Sequence, residues 1–220
     1  TSIHETKIGW KLQFEIYAIG IPASVTNIMA TFAVALTNRY LIVHGADSVA
    51  AMGIAMKANM IINMVMVGFA FGAQPLIGYV YGAKDEQRFN KVVKFDIQVV
   101  ASLALILTII LFIFAPQVIR IFMNDSQIVK EGALMLRWLS ISTTLAGIIL
   151  VFTTMFQSMG KATPAFWLSF CRQGLIFGVV ISVSAKLFGY TGIIAAQAIS
   201  DCLTFVLALI FFYCYRPHFK

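Results

Sequence analysis

Charge is what this sequence has least of. Only 11% of its 220 residues are Asp, Glu, Lys or Arg, where a soluble domain carries about 25%. Apolar residues make up 60%, and the mean hydropathy is +0.88. A soluble fold of this length has too little polar surface to coat so much hydrocarbon, so lipid is its natural solvent. Histidine is almost absent: His4, His44 and His218 are scattered, without the H-E-x-x-H spacing that puts two zinc ligands on one helix face. No metal site is expected. Cys171, Cys202 and Cys214 fall inside apolar runs with no knuckle or redox spacing, and read as small apolar fillers. No G-x-x-x-x-G-K-[ST] loop is present to cradle ATP phosphates, and no nucleophile–base pair stands out in the apolar runs. The sequence therefore reads as a non-enzyme that needs no cofactor. The net charge of +7 would suggest nucleic acid in a soluble protein. Here the few charges lie mostly between apolar runs, where they orient helices, and no nucleic-acid partner is expected.

What the chain has instead is long apolar runs. A spanning helix needs about 20 mostly apolar residues, and six stretches qualify: Phe14–Leu41, Val49–Tyr79, Phe95–Ala115, Ala133–Phe156, Ala165–Leu187 and Gly192–Tyr215. Polar joints separate them at 44–47, 81–94, 116–130, 160–164 and 189–192. Runs this long exclude a transmembrane barrel, whose strands alternate over about 10 residues. The expected fold is all-α, a polytopic bundle of six spanning helices. Residues 1–13 are expected to be a cytoplasmic or interfacial segment, 14–215 the membrane lobe and 216–220 a tail. The stretch Ile8–Ile16 reads either as an amphipathic segment on the membrane surface or as the first turns of the first helix. The chain opens at Thr1 rather than Met, which points to a segment of a longer reading frame.

Basic residues set the orientation. Lys7, Lys11, Lys84, Arg88, Lys91, Lys94, Lys161, Arg216 and Lys220 fall on one side, and only Arg39, Arg120, Lys130 and Lys186 on the other. Both ends are therefore expected in the cytoplasm. Lys57, Arg137 and Arg172 lie within or at the ends of spans.

Ionisable residues inside the membrane are the strongest functional signal, because a charge there must face protein or water. At about 1.5 Å per residue, Asp201 lies roughly 13 Å from the outer edge, Lys57 roughly 12 Å from it, and Arg172 roughly 10 Å from the inner edge. Asp201 is thus placed to pair with Lys57 or Arg172. Two readings stand: Asp201 takes up and releases a proton, or it stays ionised in a pair that holds the bundle together. The available basic partners weigh toward the second. Glu15, Asp96 and Glu131 sit near helix ends and read as solvated charges, as do Asp85 and Glu86 in the basic joint. Asn27, Asn59, Asn63 and Gln197 are amides within spans, suited to glue helices or to line a cavity. Met52, Met56, Met60 and Met64 step by four along one helix; they suit ordinary packing or lipid contact, or, for Met60 and Met64, the wall of an adaptable pocket.

One motif is more specific. Gly72, Gln74, Pro75, Gly78 and Tyr79, then Gly82 and Lys84, resemble the motif at the inner end of the eighth helix of multidrug and toxic compound extrusion (MATE) transporters. Gly20-Ile21-Pro22, Asn38-Arg39-Tyr40, Phe156-Gln157 with Gly160-Lys161, Ser169 with Arg172-Gln173, and Ile199-Ser200-Asp201 resemble further family segments in matching order. The resemblance places the chain as the second six-helix lobe, with an N-terminal lobe as partner. It implies export of small lipophilic cations or drugs across the cell membrane in exchange for H⁺ or Na⁺, by alternating access. Two features depart from the family pattern: no proline in 139–156, and no acidic residue in 27–31. The alternatives are a flippase for lipid-linked sugars, from the same superfamily, and a half-length membrane protein that transports nothing.

Overall fold

The structure, a computed structural model, describes residues 10–215; the side chains of residues 10–23 and of Thr26 lie outside the description. The expected segments 1–13 and 216–220 fall outside it too, save 10–13. Helix α1 is Trp10–Leu41, so residues 10–16 are its first turns. After a single 3₁₀ turn come α2 (Ala46–Gly82), α3 (Glu86–Phe122), α4 (Ser126–Ser158), α5 (Ala162–Phe170), a π-turn (Cys171–Leu175) and α6 (Ile176–Tyr215). No strand occurs among the described residues.

The helices run well past the apolar stretches. Residues 86–94 and 116–122 are not loop but helix, and α4 starts at Ser126 rather than near 133. Aspartates set these starts by capping. Asp85 Oδ1 accepts from the Arg88 backbone N–H at 3.0 Å, and Asp125 Oδ1 accepts from those of Gln127 and Ile128 at 2.9 and 3.1 Å. Each satisfies donors that a helix start leaves orphaned. Pro116 does not end α3 either. Proline lacks the N–H that would bond the carbonyl four residues back, here that of Phe112. The Arg137 Nε of α4 donates to that carbonyl at 3.2 Å instead, and its guanidinium stands over the Phe112 ring.

Among the described residues four helices are long and apolar enough to cross a membrane: α2, α3, α4 and the continuous stretch 162–215. The last has 54 residues, about 80 Å if straight, far more than the roughly 30 Å of hydrocarbon. It is a hairpin. Gly189 has φ 54° and ψ −130°, the geometry of the first central position in a II′ turn, which glycine supplies without a Cβ clash. Ser184 then meets Gly192, and Arg172 meets Ser200 and Asp201, as antiparallel rods require. With α1, six rods result.

Helix α4 is the centre of the bundle. It packs against α2, α3, α5 and α6, and 72% of its most apolar stretch is buried, against 17% for α3. Gly147 allows this: a Cβ there would meet Met66 Sδ and Val100 Cγ1 where α2, α3 and α4 converge. Helix α1 packs mainly on α5, the π-turn and α6. Met29 Sδ lies only 2.8 Å from where a Gly174 Cβ would be, and Tyr40 donates to Ser182 Oγ at 3.1 Å.

Glu131 is not the solvated charge that its place near a helix end suggests. Ser48 and Tyr190 donate to its Oε2 at 2.6 and 2.9 Å, and Gln127 to its Oε1 at 3.3 Å. The His44 ring stands edge-on to Tyr190. One carboxylate thus ties the starts of α2 and α4 to the α6 hairpin. Glu131→Ala should cost about 1–3 kcal/mol, because two hydroxyls lose their charged acceptor. Tyr190→Phe should cost less, and the double variant less than the sum, since both act on one network. Thermal unfolding in micelles checks this; additive effects would show that the bonds act independently.

Candidate functional site

A cavity of about 400 Å³ opens between α1 and α2, backed by α4, the π-turn and α6. Ala30, Ala33, Val34 and Thr37 form the α1 wall, and Met56, Asn59, Met60 and Asn63 the α2 wall. Leu139, Ser142, Thr143 and Ala146 close the back, and Arg172, Gln173, Phe177, Gln197 and Asp201 the remaining side. Most of the lining is small or apolar, with a few polar groups converging, as in binding sites generally.

The charged corner depends on the π-turn. A π-turn admits one extra residue per turn and re-aims the side chains within it. Here it carries Arg172, whose backbone carbonyl accepts from the Ser200 hydroxyl at 3.1 Å. The Arg172 Nε donates to Asp201 Oδ1 at 2.7 Å. The Gln197 amide donates to the same oxygen at 3.2 Å. Asp201 is fully buried and Arg172 is not. The second carboxylate oxygen, Asp201 Oδ2, is sealed from solvent and has no hydrogen-bond partner. One half of the carboxylate is doubly bonded and the other is bare.

Opposite it, Thr143 donates to Asn59 Oδ1 at 2.9 Å, and Asn63 donates to the Asn59 carbonyl at 3.0 Å. These amides are held by the protein yet face the cavity.

Of the residues singled out from sequence, Asp201, Arg172, Asn59, Asn63, Met60 and Gln197 line this one cavity. Lys57, Asn27 and Met64 do not. Arg172 holds Asp201, while Lys57 is exposed and forms no ion pair among the described residues. It lies one residue beyond Met56, about 100° round the helix from it, so equal depth did not mean a shared face. Asn27 is exposed one turn of α1 before Ala30. The methionine row drifts for a similar reason, since four residues turn about 400°, so each step gains about 40°. Met52 is buried, Met56 and Met60 line the cavity, and Met64 lines a separate groove.

The glycine-rich motif sits at the opposite end of α2, at its join to α3. Pro75 is inside the helix and Tyr79 is exposed. A Cβ on Gly78 would only touch Ser158. Lys84, with φ 56°, takes the left-handed conformation of the turn.

Long apolar helices around a cavity with a buried ion pair define a multi-pass membrane protein. The chain belongs to the MatE family, whose sequence model matches residues 22–183. It is 29% identical over 202 residues to the multidrug export protein MepA of Staphylococcus saprophyticus, covering 92% of this chain and 44% of that one. MepA of Staphylococcus aureus is 28% identical over the same length. The chain thus spans about half the length of the curated relatives it matches. Among solved structures, an outward-facing multidrug resistance MATE family transporter superposes with a TM-score of 0.88 at 18% identity, over 99% of this chain and 50% of that one. A transporter of the MOP superfamily from Pyrococcus furiosus superposes with 0.89 at 18%, over 97% and 49%. At such identities the superposition speaks to the fold alone, that of one half of such a molecule. The family is one of transporters rather than enzymes.

Proposed function

We propose that this chain forms one lobe of a secondary transporter that exports lipophilic organic cations in exchange for H⁺ or Na⁺. It works by rocking against a second six-helix lobe that precedes it, in the cell membrane and with both ends of this segment cytoplasmic. The observation that carries the proposal is the buried Asp201, paired through one oxygen and bare on the other, at the wall of a cavity large enough for a small organic cation. A carboxylate so placed can accept a proton or a small cation on Oδ2 and, in doing so, loosen its hold on Arg172. Such a change biases the cavity between two arrangements, which antiport requires. Support also comes from the named activity of the MepA relatives and from amide, thioether and Phe177 surfaces that suit a flat, apolar cation.

The flippase alternative calls for a strongly cationic cavity. Here the lining carries one basic side chain, Arg172, and it is neutralised by Asp201.

The test is uptake of a fluorescent lipophilic cation into everted vesicles containing the native full-length protein, under an imposed H⁺ or Na⁺ gradient. One gradient should drive uptake, and Asn59→Leu, which removes the amide that Thr143 holds, should cut it several-fold at unchanged expression. Uptake that ignores both gradients, or that survives blocking of the cavity, would refute the reading.

A further inference from the structure

A second carboxylate has no place in that cavity. Asp96 sits ten residues along α3, at the start of its apolar run, where solvation was expected. It is only 5% exposed. It makes no hydrogen bond or ion pair among the described residues, and its Oδ2 is sealed and unpartnered. A lone buried carboxylate is costly and calls for a partner.

It lines a groove of about 530 Å³ between α2 and α3. The α2 wall is Met64, Gly68, Phe69, Gly72 and Leu76, among others, and the α3 wall runs from Val92 to Val99. No basic side chain is among its lining residues. Phe69 and Phe95 line the same groove and are 48% and 67% exposed. A shallower hollow of about 380 Å³ shares Phe69, Phe95 and Val99 and extends the trough along α3 to Ile106. On a helical wheel at about 100° per residue, the α2 residues of this groove lie on roughly the opposite side of the helix from Met56, Asn59 and Asn63. The groove and the central cavity are thus distinct sites on two faces of α2.

We infer that the α2–α3 groove binds an amphiphilic organic cation, its quaternary or protonated ammonium against Asp96 and its apolar tail along the trough. The chemistry is complementary at each point. A buried carboxylate without an ion pair among the described residues attracts the head, two aromatic faces add cation–π contact, and a mostly apolar trough, with Gln98 and Ser102 on its α3 wall, takes the tail. Gly68 and Gly72 leave the room: a Cβ built on either meets nothing within 4 Å.

The test uses the native full-length protein in nanodiscs with a dodecyltrimethylammonium probe carrying a photoreactive group in its tail. Binding is read by labelling and peptide mapping, independently of transport, so the outcome does not depend on the export proposal. Label is expected within 64–76 and 92–106, with competition by dodecyltrimethylammonium and none by an uncharged maltoside of the same tail. Asp96→Asn should weaken labelling at least about tenfold, and Asp96→Glu should retain most of it. Gly68→Leu fills the groove without touching the carboxylate and should also abolish labelling, which keeps the inference testable if Asp96→Asn fails to fold. Equal competition by the maltoside, unchanged labelling in both Asp96→Asn and Gly68→Leu, or label confined to the central cavity would each overturn it.

Discussion

Replacing Arg172 by Met should destabilise the protein by about 3–5 kcal/mol, the typical cost of leaving one member of a buried ion pair alone. The effect is asymmetric. Asp201 is wholly buried, so without Arg172 its charge has no ionic partner and keeps only the Gln197 amide. Asp201→Asn should cost less, because Arg172 is 21% exposed and its long side chain can reach the cavity. The double variant Arg172→Met with Asp201→Asn removes both charges and should recover much of the loss, as neutral replacements of buried pairs often do. Thermal unfolding of the three variants measures this. Uptake in vesicles then separates the two roles of Asp201. If it couples ion to substrate, the double variant folds and does not transport. Transport that returns with stability would assign the pair to architecture alone.

The second large effect is expected at Gly192. A Cβ there would collide with the backbone carbonyl of Ser184 on the facing arm of the hairpin. No rotamer change relieves a clash with backbone, so Gly192→Ala should cost about 3 kcal/mol, the upper end for overpacking. Gly147→Ala is the informative contrast. Its nearest neighbours are Met66 Sδ at 2.8 Å and Val100 Cγ1 at 3.1 Å, and a thioether shifts easily, so a cost of about 1 kcal/mol is expected. Unfolding temperatures of the two variants give the comparison. Equal losses would show that the hairpin relaxes as readily as the core does.

Much of this architecture is legible in the chain itself because lipid is a strict solvent. Hydrocarbon forbids unpaired backbone, so an apolar run of about 20 residues has few options but a helix. Fragments of sequence also marked the joints, since Asp85, Asp125 and Gly189 carry the chemistry of caps and turns. The helices α3 and α4 nonetheless continue past their apolar runs. Hydropathy measures where lipid ends, while Asp caps decide where the helix begins. Depth, a count of residues along an axis, offered Asp201 two basic partners, Lys57 at equal depth and Arg172 by the length of its side chain, and could not choose between them.

Azimuth was not legible, and it decided the rest. Lys57 and Arg172 were both candidates for Asp201, and only the packed bundle shows that Arg172 alone faces it. The π-turn that aims Arg172 has no sequence signature, because one inserted residue in a helix changes no hydropathy. Asp96 and Glu131 read as the same kind of residue, a carboxylate near a helix end. Packing gave Glu131 three donors and, among the described residues, Asp96 none. From sequence alone come the membrane as solvent, the helical rods, their order and the family, since these rest on local runs and short motifs. Tertiary structure alone decided which charges meet, which glycines are indispensable, and that α2 carries a cavity with a buried ion pair on one face and an apolar groove lined by Asp96 on the other. Those are properties of rotation and contact between helices, and a linear pattern of apolar residues leaves them open.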